Sequence, residues 1–220
     1  GLGDVYKRQV TVGIGFPKTN CLRTCPGRRE RLKHTSKKNM QGFDSEFINL
    51  KDYILKITHR IWEERGVDRI RDYYGENAPV KTPASITSHV EDVVRFTLQT
   101  LHMFPDRQLL GEDVIGSEDE PGTFYSSHRI LSTMTHQGDG FFGPPTGKEV
   151  HTRIIADCIC RENKVIDEWM VRDQSAIVKQ IGLDPKEFSL RLAEDWKNSG
   201  QPLLTADDLV NRWTGPPDSG

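Results

Sequence analysis

From Glu46 to Arg65 the apolar residues Phe47, Leu50, Ile54, Ile57 and Ile61 recur at helical spacing, and Gly66 follows the last turn. That spacing predicts an amphipathic helix with one buried stripe. A shorter helical piece is predicted over Val67 to Tyr74, ended by Gly75. In PASITSHVEDVVRFTLQTLHMFPD, Ser88 and Glu91 stand at capping-box spacing, Val90, Val94, Thr97 and Leu101 follow one stripe, and Pro105 closes the run. After Pro105 the period becomes extended. Strands are predicted at 106–116, 123–136, 149–161 and 164–173, separated by SEDEPG, QGDGFFGPPTG and REN. Links this short imply an antiparallel meander. Two prolines and three glycines exclude GFFGPPTG from any strand. Helices followed by strands predict an α+β fold, with the helices on one face of a sheet. Beyond Gly182, Asp184 as cap, Pro185 in the first turn and Glu187 predict a further helix, and TADDLVNRW predicts a last one capped by Thr205.

The 220 residues suffice for one domain with an appendage. Three parts are expected: residues 1–39 as a non-native or disordered basic arm, 40–183 as the folded domain, and 184–220 as a helical C-terminal extension. GLGDVYKRQ lacks an initiator methionine and resembles the translation of a transposase mosaic-end oligonucleotide, so residues 1–9 are expected to be foreign to the fold. Residues 10–39 carry eight Lys or Arg against Glu30 alone. They read either as a nucleic-acid-binding arm or as upstream sequence translated by accident, with Met40 as the native start. Setting aside the ten bases and two acids before Met40 leaves 20 bases and 30 acids, a net charge of −10. Such a body repels phosphate backbones, which favours the second reading and makes a nucleic-acid partner unexpected. No apolar run reaches the roughly 20 residues of a membrane helix, and no segment is ordered as a signal peptide, so no membrane role is expected and the default compartment is the cytoplasm.

Candidate chemistry comes from the strands. TFYSSHRILSTMTH places Phe124, His128, Ile130, Met134 and His136 on one face. Two imidazoles there are either polar groups of a site or core histidines bonded to backbone. In VIDEWMVRDQSAIVKQIG, Val165, Trp169 and Val171 are read as facing inward, with Glu168, Met170 and Arg172 facing the other way, and the rival assignment gives the core to Ile166 and Met170. Asp173 would then sit beside aromatic and aliphatic walls, where desolvation raises a carboxyl pKa and fits it for proton transfer. The competing reading makes Asp173 a solvated cap of the following helix. Cys21, Cys25, Cys158 and Cys160 lack the spacing of a disulfide framework or zinc site and read as reduced thiols, so no metal is expected. There is no GxGxxG after a strand, no P-loop, no G-x-S-x-G elbow and no HExxH.

THQGDGFFGPPTGKEV together with ADCICRENKVIDEWMVRDQSAIVKQIG resembles the SnoaL-like polyketide cyclase family of the nuclear transport factor 2-like superfamily, over about residues 50 to 183. The resemblance implies a cone-shaped fold, in which a curved antiparallel sheet wraps a pocket closed by N-terminal helices, usually as a homodimer. It also implies cofactor-free catalysis, with a late aspartate, here Asp173, as general acid/base. The family histidine on the preceding strand has no counterpart, and Cys158 stands about where it falls. His136 and His128 are the candidates for second polar groups. Trp62, Tyr73, Tyr74 and Trp169 are expected to line the pocket, with Phe141 in the lip formed by GFFGPPTG. The expected function is a cyclase, isomerase or lyase acting on a small carbonyl-bearing substrate. The alternatives are epoxide-hydrolase-like water addition and a non-catalytic ligand-binding or dimerisation module.

Overall fold

The structure, a computed structural model, describes residues 40–83 and 85–200. The basic arm, Cys21, Cys25, the helix predicted at Thr205 and the closing TGPPDSG lie outside the described residues. The chain divides into one unit that ends at Ile181 and a second that begins at Gly182.

The first unit is α+β. Asn49 caps α1 (Leu50–Thr58) by accepting from the Asp52 amide. The predicted helix does not stay α throughout, because His59–Glu63 form a π-helical turn. A 3₁₀ turn (Val67–Arg69) leads into α2 (Ile70–Tyr73). Two-residue strands β1 (Val80–Lys81) and β2 (Ile86–Thr87) form a hairpin. Strands this short carry no readable period. The cap of α3 (Val90–Met103) is His89, whose side chain accepts from the Glu91 amide, one residue later than the capping-box spacing placed it.

Four long strands follow: β3 (Gln108–Glu120), β4 (Thr123–Thr135), β5 (Glu149–Arg161) and β6 (Lys164–Arg172). They are antiparallel neighbours in a curved open sheet of order β2-β1-β6-β5-β4-β3. β1 pairs with β6 in parallel, a departure from the pure meander. β3 runs through the acidic SEDE of the segment SEDEPG expected as a link, because it is an edge strand whose carboxylates face water. Alternation is clean on β5, where Val150, Thr152, Ile154, Ala156, Cys158 and Cys160 are buried and most of the residues between them are exposed.

Helix α1 lies against the same face. Tyr53, Ile54, Ile57 and Ile61 join Ile70, Tyr73, Val90, Val94, Phe124 and Cys160 in the core. The approach to β3 is close: a Cβ at Gly111 would sit 2.7 Å from Leu55 Cδ2, and one at Gly116 2.4 Å from Leu50 Cδ2 and 2.6 Å from the Tyr125 carbonyl oxygen, a backbone contact that keeps Gly116 a glycine.

The parity of β6 decides what faces that core. Cys160 of β5 pairs with Val165, but Ile159 pairs with Asp167, so Ile166 is an extra residue with no partner. A bulge of one residue inverts the facing of everything beyond it. Val165 therefore faces the core, and so do Glu168, Met170 and Arg172. Trp169, Val171 and Asp173 turn to the other side, the reverse of the expected assignment. α4 (Gln174–Ile181) closes this unit.

In the second unit, α5 (Pro185–Asn198) begins with Asp184 accepting from the amides of Lys186 and Glu187. Among the described residues no helix is long and apolar enough to cross a membrane.

Candidate active site

The core-facing side of the sheet, α1, α2, α3 and the β1–β2 hairpin enclose a cavity of about 420 Å³. That volume falls in the range that takes small organic ligands. Phe96 and Phe141 line it while 43% and 42% exposed, which puts them at its mouth. Sheet register orders the core-facing side chains behind and along the cavity in rungs. Ser126, Cys158 and Glu168 form the first, His128, Ala156 and Met170 the second, and Ile130, Ile154 and Arg172 the third. Ser132 and Thr152 form a fourth.

Glu168 is the acid of the cavity. It is buried, and its Oε2 accepts from the Tyr74 hydroxyl at 2.8 Å. Burial raises its pKa, the Tyr74 hydrogen bond opposes that rise, and the charge of Asp167 adds to it. Burial first, then the nearby Glu168 charge, holds the Tyr74 phenol well above its ordinary range, so Tyr74 stays a donor. Cys158, on the same rung, is a buried free thiol whose pKa is also pushed well up by burial, which leaves it protonated and a poor nucleophile.

His128 lines the cavity on the next rung. Burial, helped by the charge of Lys51, lowers its pKa to about 4, so the imidazole is neutral at neutral pH. Its Nε2 has no hydrogen-bond partner among the described residues and lies where a side chain on Gly111 would begin.

The far end is cationic. Arg107 is 2% exposed, donates from Nε to Ser132 Oγ at 3.1 Å, and lies with its guanidinium 4.4 Å from the Trp62 ring centre. Arg172 projects from the third rung. Arg107 Nη1, Arg172 Nε and Gln174 Oε1 are buried without a partner among the described residues.

Of the residues singled out in the sequence, Trp62, Tyr74, Phe141, Cys158 and His128 line this cavity together. Tyr73 does not: it is buried in the core, where its hydroxyl accepts from Arg60 at 2.7 Å. His136 is fully buried away from the cavity, packed on Phe104 and Phe142 with Nδ1 3.2 Å from Thr146 Oγ1, where it pins the PPTG loop. Trp169 stands on the opposite face of the sheet, its ring 5.2 Å from Lys81 Nζ, and Lys81 is ion-paired with Asp167.

Asp173 is exposed, and its Oδ1 accepts from the Ala176 amide at 2.9 Å. That is the helix-capping arrangement; the premise that its carboxyl looks into the hollow fails because of the bulge at Ile166. The pattern missed Glu168, Arg107 and Arg172. A signal was present: Val165 and Trp169 claim one face while Ile166 and Met170 claim the other, the conflict an inserted residue creates.

Among the described residues no group of three or more His, Cys, Asp or Glu is placed to hold a metal ion. No curated protein matches the chain. Solved structures share the nuclear transport factor 2-like fold. AclR of Streptomyces galilaeus, for which a hydroxylase role has been suggested, is 23% identical, with 60% of this chain and 94% of that one covered and a TM-score of 0.53. IdmH of Streptomyces antibioticus, for which a polyketide cyclase role has been suggested, is 17% identical, with 60% and 98% covered and a TM-score of 0.52. A SnoaL-like protein from Jannaschia is 17% identical, with 61% and 92% covered and a TM-score of 0.51. The family model described as SnoaL-like polyketide cyclase matches residues 53–181, the stretch that builds the helices, the sheet and the cavity between them, and the chain belongs to that family.

Proposed function

We propose that the chain is an acid/base enzyme, of cyclase, isomerase or lyase type and without a cofactor, acting on a small carbonyl-bearing molecule in this cavity. Glu168 is its proton carrier. The observation that supports this most is a buried carboxyl in the cavity floor, held by Tyr74 at 2.8 Å and raised in pKa by burial. A carboxyl tuned upward takes a proton from a carbon beside a carbonyl and returns it at the product stage. Tyr74 orients the carboxylate, and neutral His128 offers a polar group without adding charge.

Glu168→Gln tests the assignment: a well-placed acid/base supplies ~10² to 10⁴ in rate, and a loss of that size is expected for a confirmed substrate. Unchanged turnover would remove Glu168 from the mechanism. The open cavity speaks against a pure dimerisation module, whose mark is a pocket filled by its own side chains. The exposure of Asp173, the other mark of a non-catalytic module, leaves a ligand-binding module as the rival that the loss of turnover in Glu168→Gln decides against.

The same proposal has the chain working in the cytoplasm as a homodimer. Ile155 and Val171, 37% and 55% exposed, are paired neighbours on the outer face of the sheet and supply an apolar surface for a second copy. Light scattering after chromatography should give twice the chain mass, and Ile155→Glu should halve it.

A further inference from the structure

Two guanidinium groups face the cavity, and the carboxylate that acts on Arg107 is already engaged. Glu63 is the acid that opposes the lowering of the Arg107 pKa, and its Oε1 accepts from the Leu109 amide at 2.8 Å. Burial drives that lowering, and the charge of Arg172 follows as the next cause, so the two cations are near enough to repel. Register agrees: Ser132, the partner of Arg107, pairs with Thr152, two residues along β5 from the Ile154 that pairs with Arg172. A nine-tenths-buried arginine with an unused donor is costly unless an anion completes it.

The acid end is elsewhere. Glu168 and Arg172 share a face of β6 four residues apart, roughly 13 Å along a strand. Between them the floor is Ala156, Met170, Ile130 and Ile154, with the neutral His128 as the polar group on the middle rung. The cavity is thus a proton carrier and an anion clamp joined by a greasy span.

We propose that the substrate is an organic carboxylate: its carboxylate is held by Arg107 and Arg172, its apolar body lies over Ile130, Ile154 and Met170, and its reacting carbon reaches Glu168. The carboxylate matches the guanidinium fork in shape and charge. It also keeps the negative charge of the substrate away from Glu168, which would otherwise be hindered in drawing off a proton. This inference rests on the acid/base reading for the position of the reacting carbon, but the clamp stands independently of it.

Calorimetric titration of the whole chain with matched probes tests it, using benzoate, naphthoate and biphenylcarboxylate against benzamide, naphthamide and biphenylcarboxamide. At least one carboxylate should bind about tenfold or more tighter than its amide, the gain of a charge-assisted bidentate contact. In Arg172→Met the preference should collapse toward unity while amide affinity holds. Arg172→Lys, which keeps the charge and breaks the fork, should retain part of it and replaces the first variant if circular dichroism shows that one unfolded. Glu168→Gln should keep the full preference, so a failed clamp and a failed proton carrier give different results. Absence of carboxylate preference in every pair, or a preference untouched in both Arg172 variants, overturns the proposal.

Discussion

Asp173 offers the sharpest contrast between a structural carboxyl and a chemical one. Its side chain makes one evident contact, accepting from the Ala176 amide at 2.9 Å at the start of α4, and it is otherwise exposed. Replacing an N-cap aspartate by alanine costs ~1 kcal/mol, whereas asparagine caps about as well as aspartate. The unit from Met40 to Ile181 has an unfolding entropy on the order of 0.3 kcal/mol per kelvin, so ~1 kcal/mol lowers Tm by about 3 °C. Asp173→Ala should therefore melt about 3 °C lower, and Asp173→Asn within a degree or so of the parent. Scanning calorimetry measures the first pair of values; turnover of a confirmed substrate supplies the second. Both variants should keep the parent rate at temperatures where they are folded. If Asp173→Asn lost ~10² or more in rate at unchanged Tm, the carboxyl would be chemical as well as a cap, and the placing of the proton transfer on Glu168 alone would be wrong.

Other outcomes follow from the same geometry. Gly111→Ala forces a Cβ to 2.7 Å from Leu55 Cδ2 and 2.9 Å from His128 Nε2, and overpacking of this kind should cost ~1–3 kcal/mol in denaturant unfolding. His128, lowered from 6.5 to about 4, binds fewer protons folded than unfolded. Its stability contribution is therefore full above about pH 6.5 and falls as pH drops toward 4, by roughly 3 kcal/mol at most. Unfolding of His128→Gln should be flatter across that window, and an unchanged slope would contradict the burial of the ring. Tyr74→Phe removes the hydrogen bond that lowers the Glu168 pKa, so the acid limb of the pH–rate profile should move to higher pH.

The sequence made much of this legible because α1, α3 and the long strands each bury one face against one core. β5 alternates through thirteen residues with no break, so its boundaries and facing are both readable. β6 is different. Its bulge at Ile166 is set by pairing with Ile159 and Cys160, a long-range fact with no local period. Everything beyond it was inverted: Trp169 and Asp173 turned out of the cavity, and Glu168 and Arg172 turned in. Charged residues are the least expected lining of a core, so the pattern alone turns both the acid and the guanidinium outward. Trp62 and Tyr74 were accessible because bulky aromatics on the helical segment face the sheet, but the neighbouring Tyr73 points elsewhere, a difference that depends on where α2 ends.

The central claim is that the working acid of this cavity is Glu168. Titrating its side-chain carboxyl by carbon-13 NMR, with Glu168→Gln to assign the signal, tests this without any substrate. A midpoint above the ordinary 4.5 is expected, rising further in Tyr74→Phe. A midpoint at or below 4.5, unmoved by loss of the phenol, would mean a well-solvated carboxylate and would contradict the account.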